Sequence, residues 1–222
     1  MRRRQLSLAI LLAVCATAAA LALALHASGG GSTRRTAASA SAGSFYGPTA
    51  PPSMPAIDFV LRDQQGALIN LRDYAGEPVV LVFIDSTCAE VCPVVAEQLR
   101  GTLNELRRSV PVIVLSVDPE QDTPAHVRSF LAAADLSGRV SYIAGPRAAL
   151  APIWRFFGIQ PQVPVSSTAA GFSLDIELLD KTGKPRVGYT ALAQLDPDAI
   201  AHDIETLGRE APPPVAPRRV RL

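Results

Sequence analysis

Val79-Val80-Leu81-Val82-Phe83-Ile84 runs without a break into Asp85-Ser86-Thr87-Cys88-Ala89-Glu90-Val91-Cys92-Pro93. The first six residues are all apolar, the pattern of a strand buried on both faces. Pro93 suits the first turn of a helix, where a missing N–H costs nothing. Val95, Leu99, Leu103 and Leu106 then share one face, so a helix is expected from about Cys88–Pro93 to Arg107. A buried strand leading straight into a helix, with two cysteines at the junction, sets both the fold and the candidate site.

The same alternation continues downstream. Val112 to Val117 reads as a second buried strand. Thr123-Pro124 opens a helix with a capping residue and a first-turn proline, and Val127, Phe130, Leu131 and Ala134 give it an apolar stripe. Val140 to Ala144 is a third strand and Pro146 to Phe157 a further helix, with Trp154 in its core face. Leu174 to Leu179 and Arg186 to Tyr189 flank the turn signal Asp180-Lys181-Thr182-Gly183 and pair as a hairpin. Asp196-Pro197 opens the last helix, where Ile200, Ile204 and Leu207 share a face. Upstream, Ile57 to Leu61 and Ala67 to Leu71 form a β-hairpin about Arg62 to Gly66. Strands alternating with helices argue for an α/β domain, and the closing hairpin makes its central sheet mixed. With the N-terminal hairpin, this order is consistent with a thioredoxin-like fold.

The chain has 222 residues, 48% of them hydrophobic, enough for one domain with a sizeable core plus tails. A net charge of +1 gives no electrostatic case for a nucleic-acid partner. Arg2, Arg3 and Arg4 precede an apolar run from Leu6 to Leu25, long enough to span a bilayer with the rest of the chain exported. Residues 1–27 are therefore expected to be a membrane anchor or signal segment. The favoured outcome is a single-pass protein of the cell membrane with its domain on the extracytoplasmic side. Cleavage at Ala22-Leu23-Ala24 would instead release a secreted domain. Cys15, within the run, reads as a buried thiol. Residues 28–53, rich in Gly, Ser, Ala and Pro, read as a flexible linker. Residues 54–209 form the domain, and 210–222 read as a disordered Pro/Arg-rich tail.

Three cysteines are too few for a disulfide scaffold of this length. Cys88 and Cys92 instead sit where a helix N-terminus presents unpaired N–H groups and a positive dipole end, both of which favour a thiolate. Four residues apart on a regular helix, Cβ atoms stand about 5–6 Å apart, whereas a disulfide wants about 3.8 Å. Either Cys88 lies in the loop before the helix, or the first turn loosens on oxidation. Two thiolates on one face also suit a soft ion such as Cu(I). The bland alternative is an inert buried pair, which an exported, oxidising compartment disfavours.

Phe83 to Pro93 resembles the segment F-x-Y-T-x-C-P-x-x-C-P of Sco/SenC proteins, and Ser116-Val117-Asp118-Pro119-Glu120-Gln121-Asp122-Thr123 resembles that family's S-x-D-P-x-x-D-T loop. The resemblance covers roughly residues 55 to 208. It implies a thioredoxin-like domain held outside the membrane that delivers copper to the dinuclear copper site of cytochrome oxidase, or reduces that site's cysteines. It also implies copper ligation by Cys88, Cys92 and a distant histidine. That histidine is missing: aligning Leu178 to Gly183 with the family turn puts Phe172 in its place. His126 and His202 read as solvated helix residues, and His26 lies in the membrane segment or tether. Ala89 stands where the family has proline. Asp175 or Glu177 could supply an oxygen, a poor match for soft copper.

Other chemistries fit less well. A thiol peroxidase needs T-x-x-C, and here Thr87 is misplaced; a thioredoxin needs W-C-x-x-C. Asp118 and Asp122 read as loop-ordering and capping residues rather than a metal or acid/base pair. Ser166, Ser167 and Thr168 lack a nearby base, and no glycine-rich phosphate loop lies at a strand-to-helix turn. The expected function is copper delivery to, or thiol reduction of, a respiratory oxidase's copper-site subunit. A thiol–disulfide oxidoreductase or redox sensor acting on another extracytoplasmic thiol protein, without stable metal, is the first alternative. A non-catalytic binding module is the second.

Overall fold

Six successive apolar residues leave Val79–Ile84 no polar face to show to water, and all six are buried. The computed structural model describes residues 44–161, 175–190, 195–211 and 217–222. In chain order its elements begin with β1 (Ala56–Asp58), β2 (Val60–Arg62), β3 (Leu68–Asn70), β4 (Val79–Ile84) and α1 (Cys92–Glu105). There follow β5 (Val112–Ser116), α2 (Pro124–Ala133), β6 (Ser141–Ile143) and α3 (Arg147–Phe157). The remainder are β7 (Asp175–Leu179), β8 (Pro185–Tyr189), α4 (Pro197–Arg209) and β9 (Arg219–Arg221).

The main sheet has the order β6-β5-β4-β7-β8. β4 is parallel to β5 and antiparallel to β7, so the sheet is mixed as the sequence implied. Side chains alternate across β4. Val80, Val82 and Ile84 join one core with Cys92, Val95 and Leu99 of α1, Val127 and Leu131 of α2, and Ile204 and Leu207 of α4. Val79, Leu81 and Phe83 face the other core, with Leu150, Ile153 and Trp154 of α3 and Phe59 and Leu71 from the N-terminal hairpin region. Trp154 is core, as expected, and its indole N–H donates to the Ser116 carbonyl at 3.0 Å. Thr123 caps α2, accepting from the His126 N–H at 3.3 Å.

Both flanking segments differ from expectation. The linker, read as 28–53, gives way to structure by Tyr46: the N–H groups of Tyr46 and Gly47 donate to Asp203 at 2.9 Å, and Thr49 bridges to Val187. A buried carboxylate needs donors, and a Gly-Pro segment can supply backbone ones where composition shows only polarity. Gly47 is required by closeness: a Cβ there would lie 2.6 Å from the Tyr189 ring. The tail, read as disordered over 210–222, instead ends in β9, parallel to β1 with Val220 opposite Ile57. The Leu222 N–H also donates to the Asp58 carbonyl at 2.8 Å. An edge strand offers unpaired N–H and C=O groups that any backbone can use, whatever its charge. In consequence the expected first hairpin divides: β1 turns to β9, while β2 and β3 pair with each other.

Among the described residues no helix is long and apolar enough to cross a membrane. The Leu6–Leu25 run and Cys15 lie outside them.

Truncating the chain after residue 216 should expose the β1 edge and cost about 1–3 kcal/mol, read from denaturant unfolding of the two chains side by side.

Candidate dithiol site

β4 ends at Ile84, and the next four residues turn out of the sheet under the control of two carboxylates. Asp85 Oδ1 accepts from the N–H of Thr87 at 2.9 Å, the N–H of Cys88 at 2.6 Å and the Thr87 hydroxyl at 3.0 Å. An aspartate that bonds its own backbone two residues on makes a tight local turn. Asp122 holds the same turn from the opposite side. Its Oδ1 accepts from the N–H of Ser86 at 2.7 Å and from the Ser86 hydroxyl, and its Oδ2 accepts from the Tyr142 hydroxyl at 2.7 Å. Asp122 is therefore a loop-ordering residue, as the sequence suggested, but the loop it orders is the cysteine turn of β4. Asp118 lies in the same loop, and burial raises its pKa, with the charge of Asp85 the next cause.

The helix starts at Cys92, with Val91 in the capping position and Pro93 in the first turn. Cys88 therefore lies in the loop, which answers the spacing problem: the pair can approach without unwinding α1. The N–H of Cys92 donates to the Cys88 sulfur at 3.2 Å. Both thiols are free, Cys88 partly exposed and Cys92 fully buried. Burial pushes the Cys92 thiol far up, and its hydrogen bond to the Cys88 sulfur adds to this, while the backbone N–H of Asp85 acts the other way. The accessible sulfur thus receives a helix-start N–H, and the inner thiol keeps its proton.

Asp85, Cys88 and Cys92 each bring a ligand atom within 4.8 Å of the other two. Sequence reasoning missed Asp85. Its signal was its place in the motif, where the family segment carries tyrosine. Asp175 and Glu177, the two oxygen donors considered from sequence, do not join this cluster. They alternate with Ile176 and Leu178, which share the core of Cys92, and pair with Phe83 and Leu81, which face the other core. Burial raises Asp175 to about 6 and, with the Asp175 charge as second cause, Glu177 to about 8. His126 is exposed, its Nδ1 2.8 Å from the Gln121 carbonyl. His202 is half-buried, its ring tilted against that of Tyr46 with centroids 4.7 Å apart. Neither reaches the cysteines' cluster. Phe172, at the expected histidine position, lies outside the described residues, as do Ser166, Ser167 and Thr168.

Fold and site define a class: a thioredoxin-like domain carrying a dithiol at the turn between a central strand and a helix. Residues 48–208 match the SCO1/SenC family, and the chain belongs to it. The SCO1 protein homolog of Bacillus subtilis (strain 168) is 30% identical over 82 residues, 36% of this chain and 42% of the relative. The chain thus spans about two fifths of that curated relative's length. BsSco, described as a member of the Sco family of cytochrome c oxidase assembly proteins with a disulfide switch, superposes with a TM-score of 0.60 at 22% identity. The match covers 72% of this chain and 98% of that one. Bradyrhizobium japonicum ScoI with copper bound gives 0.52 at 25% identity, over 68% of this chain and 98% of that one.

Two outcomes follow from this geometry. Iodoacetamide should alkylate Cys88 at least roughly tenfold faster than Cys92, because Cys88 is partly exposed while Cys92 is buried and burial raises its thiol; peptide mass spectrometry over a time course reads the ratio. The second concerns β7. Asp175 and Glu177 hold their protons to higher pH in the folded chain than in the unfolded one, where the values are about 3.9 and 4.3. The folded state then binds more protons, so this contribution to stability is full below about pH 4 and is lost as pH rises towards about 8. Glu177→Gln should flatten that decline between about pH 5 and 8, measured by denaturant unfolding across the range.

Proposed function

We propose that this chain is a membrane-tethered, extracytoplasmic Sco-type protein that serves the copper site of a cytochrome c oxidase, delivering Cu(I) to it or reducing its cysteines. The observation that carries the reading is the Cys92 N–H on the Cys88 sulfur at the first residue of α1, in a chain of the SCO1/SenC family. The copper bound by the similar ScoI supports the metal, and the arginines before the Leu6–Leu25 run support the tether. Copper is cargo here. Two soft thiolates a few ångströms apart suit Cu(I), which accepts low coordination and thiolate donors.

A thiol-exchange role is favoured by a separate observation, the contrast between the two sulfurs. The Cys88 thiolate attacks one sulfur of a client disulfide and forms a mixed disulfide, and the other client sulfur leaves as a thiolate. Cys92, after giving up its proton, then attacks Cys88. The client's second thiolate leaves and Cys88–Cys92 is oxidised, so two electrons pass to the client and two protons complete its thiols. Cys88 needs no travel out of a helix to do this, because it precedes α1.

Anaerobic competition between the reduced full chain in detergent and a chromophoric Cu(I) chelator tests the copper reading. One Cu(I) per chain is expected, lost in the Cys88→Ser/Cys92→Ser double variant. Binding no tighter than that of the double variant removes copper delivery and leaves thiol exchange, whose check is a reversible reduction potential for the pair.

A further inference from the structure

Asp85 is 1% exposed, yet only one of its oxygens has work in the turn. Oδ1 takes all three donors, and Oδ2 is buried with no hydrogen-bond partner. A carboxylate removed from water on these terms is costly unless a cation meets it. Asp58 shows the contrast. It also leaves one oxygen unpartnered, but its other oxygen pairs with the Arg72 guanidinium. The donors on Asp85 are all neutral. If the turn alone were the purpose, a neutral asparagine would provide the same Oδ1 acceptor without a buried charge. The carboxylate also lies in a group with both cysteine sulfurs, all within 4.8 Å.

We propose that Asp85 is a metal ligand, and that Asp85, Cys88 and Cys92 form a two-sulfur, one-oxygen site for a divalent transition-metal ion. This rests on the reading of the cysteines as a metal-binding pair and adds a second, distinct ion class to it. Cu(I) needs only the two thiolates. A borderline divalent ion takes carboxylate oxygen alongside thiolate, at about 2.0–2.2 Å and 2.3 Å. Those bond lengths bring tetrahedral donors to about 3.5–3.8 Å from one another, so a separation at the 4.8 Å limit must close by about 1.0–1.3 Å. Cys92 is fixed by α1 and Asp85 by the turn. The Cys88 backbone is held by the same turn, but its side chain is partly exposed and has room to rotate. The fourth position then opens on the Cys88 side.

The probe is Co(II), titrated anaerobically into the reduced full chain in detergent, with Cu(I) competition run on the same samples. Wild type should bind one Co(II), with thiolate-to-metal charge transfer and the intense visible bands of a four-coordinate ion. Asp85→Asn keeps the Oδ1 acceptor and removes the charge. It should weaken Co(II) by at least roughly tenfold, and by several-fold more than it weakens Cu(I). Equal Co(II) affinity in Asp85→Asn overturns the proposal. So does a wild type that takes Cu(I) but shows only the weak bands of a hydrated, six-coordinate Co(II), an outcome that leaves the copper reading standing. Failure to bind either ion removes both. Should Asp85→Asn not fold by circular dichroism, Asp85→Ser, which also retains an acceptor oxygen, takes its place under the same criteria.

Discussion

β4 has no polar side to give to water, and every layer of the domain answers that constraint. One set of its side chains is covered by α1, α2 and α4, the other by α3 and the N-terminal hairpin region. Because both faces are sealed, the strand's C-terminal end is where the chain must leave the sheet. Asp85 and Ser86 sit at that exit, and the cysteines follow within a few residues. The site is thus a direct consequence of burying the strand.

What the exit needs is rigidity, and Asp122 provides it. One carboxylate joins Ser86 after β4, the loop before α2 and Tyr142 on β6, so three separate stretches of chain set the position of the cysteine turn. Asp85 then bends the turn locally and brings Cys88 into line with the start of α1. The outcome is unequal sulfurs: one reachable and hydrogen-bonded by a helix-start N–H, the other buried and holding its proton. That inequality is what the proposed thiol exchange would use. The two sulfurs and a carboxylate oxygen of Asp85 lie within 4.8 Å of one another, the closeness on which the proposed metal readings rest.

Much of the architecture was legible in the residues. The apolar run at 79–84, the Thr123-Pro124 and Asp196-Pro197 helix starts and the 180–183 turn signal all correspond to observed elements, because each rests on local periodicity or capping. The flanks were not legible. Residues 46–49 and 219–221 look like tether and tail by composition, yet they fold by giving backbone groups to a buried Asp203 and to the open edge of β1. Composition reports side chains and is blind to a backbone donor that another part of the fold needs.

The sequence by itself determined the dithiol, its strand-to-helix setting and the family, since these depend on residue identity and short-range spacing. Only the tertiary structure decided that Cys88 precedes the helix rather than lying in it. It also turned Asp175 and Glu177 to the face away from Cys92, and brought the Asp85 carboxylate within 4.8 Å of both sulfurs instead. The reason is geometric: which face a strand residue takes, and whether a carboxylate oxygen meets water or sulfur, depends on what packs around it from distant parts of the chain.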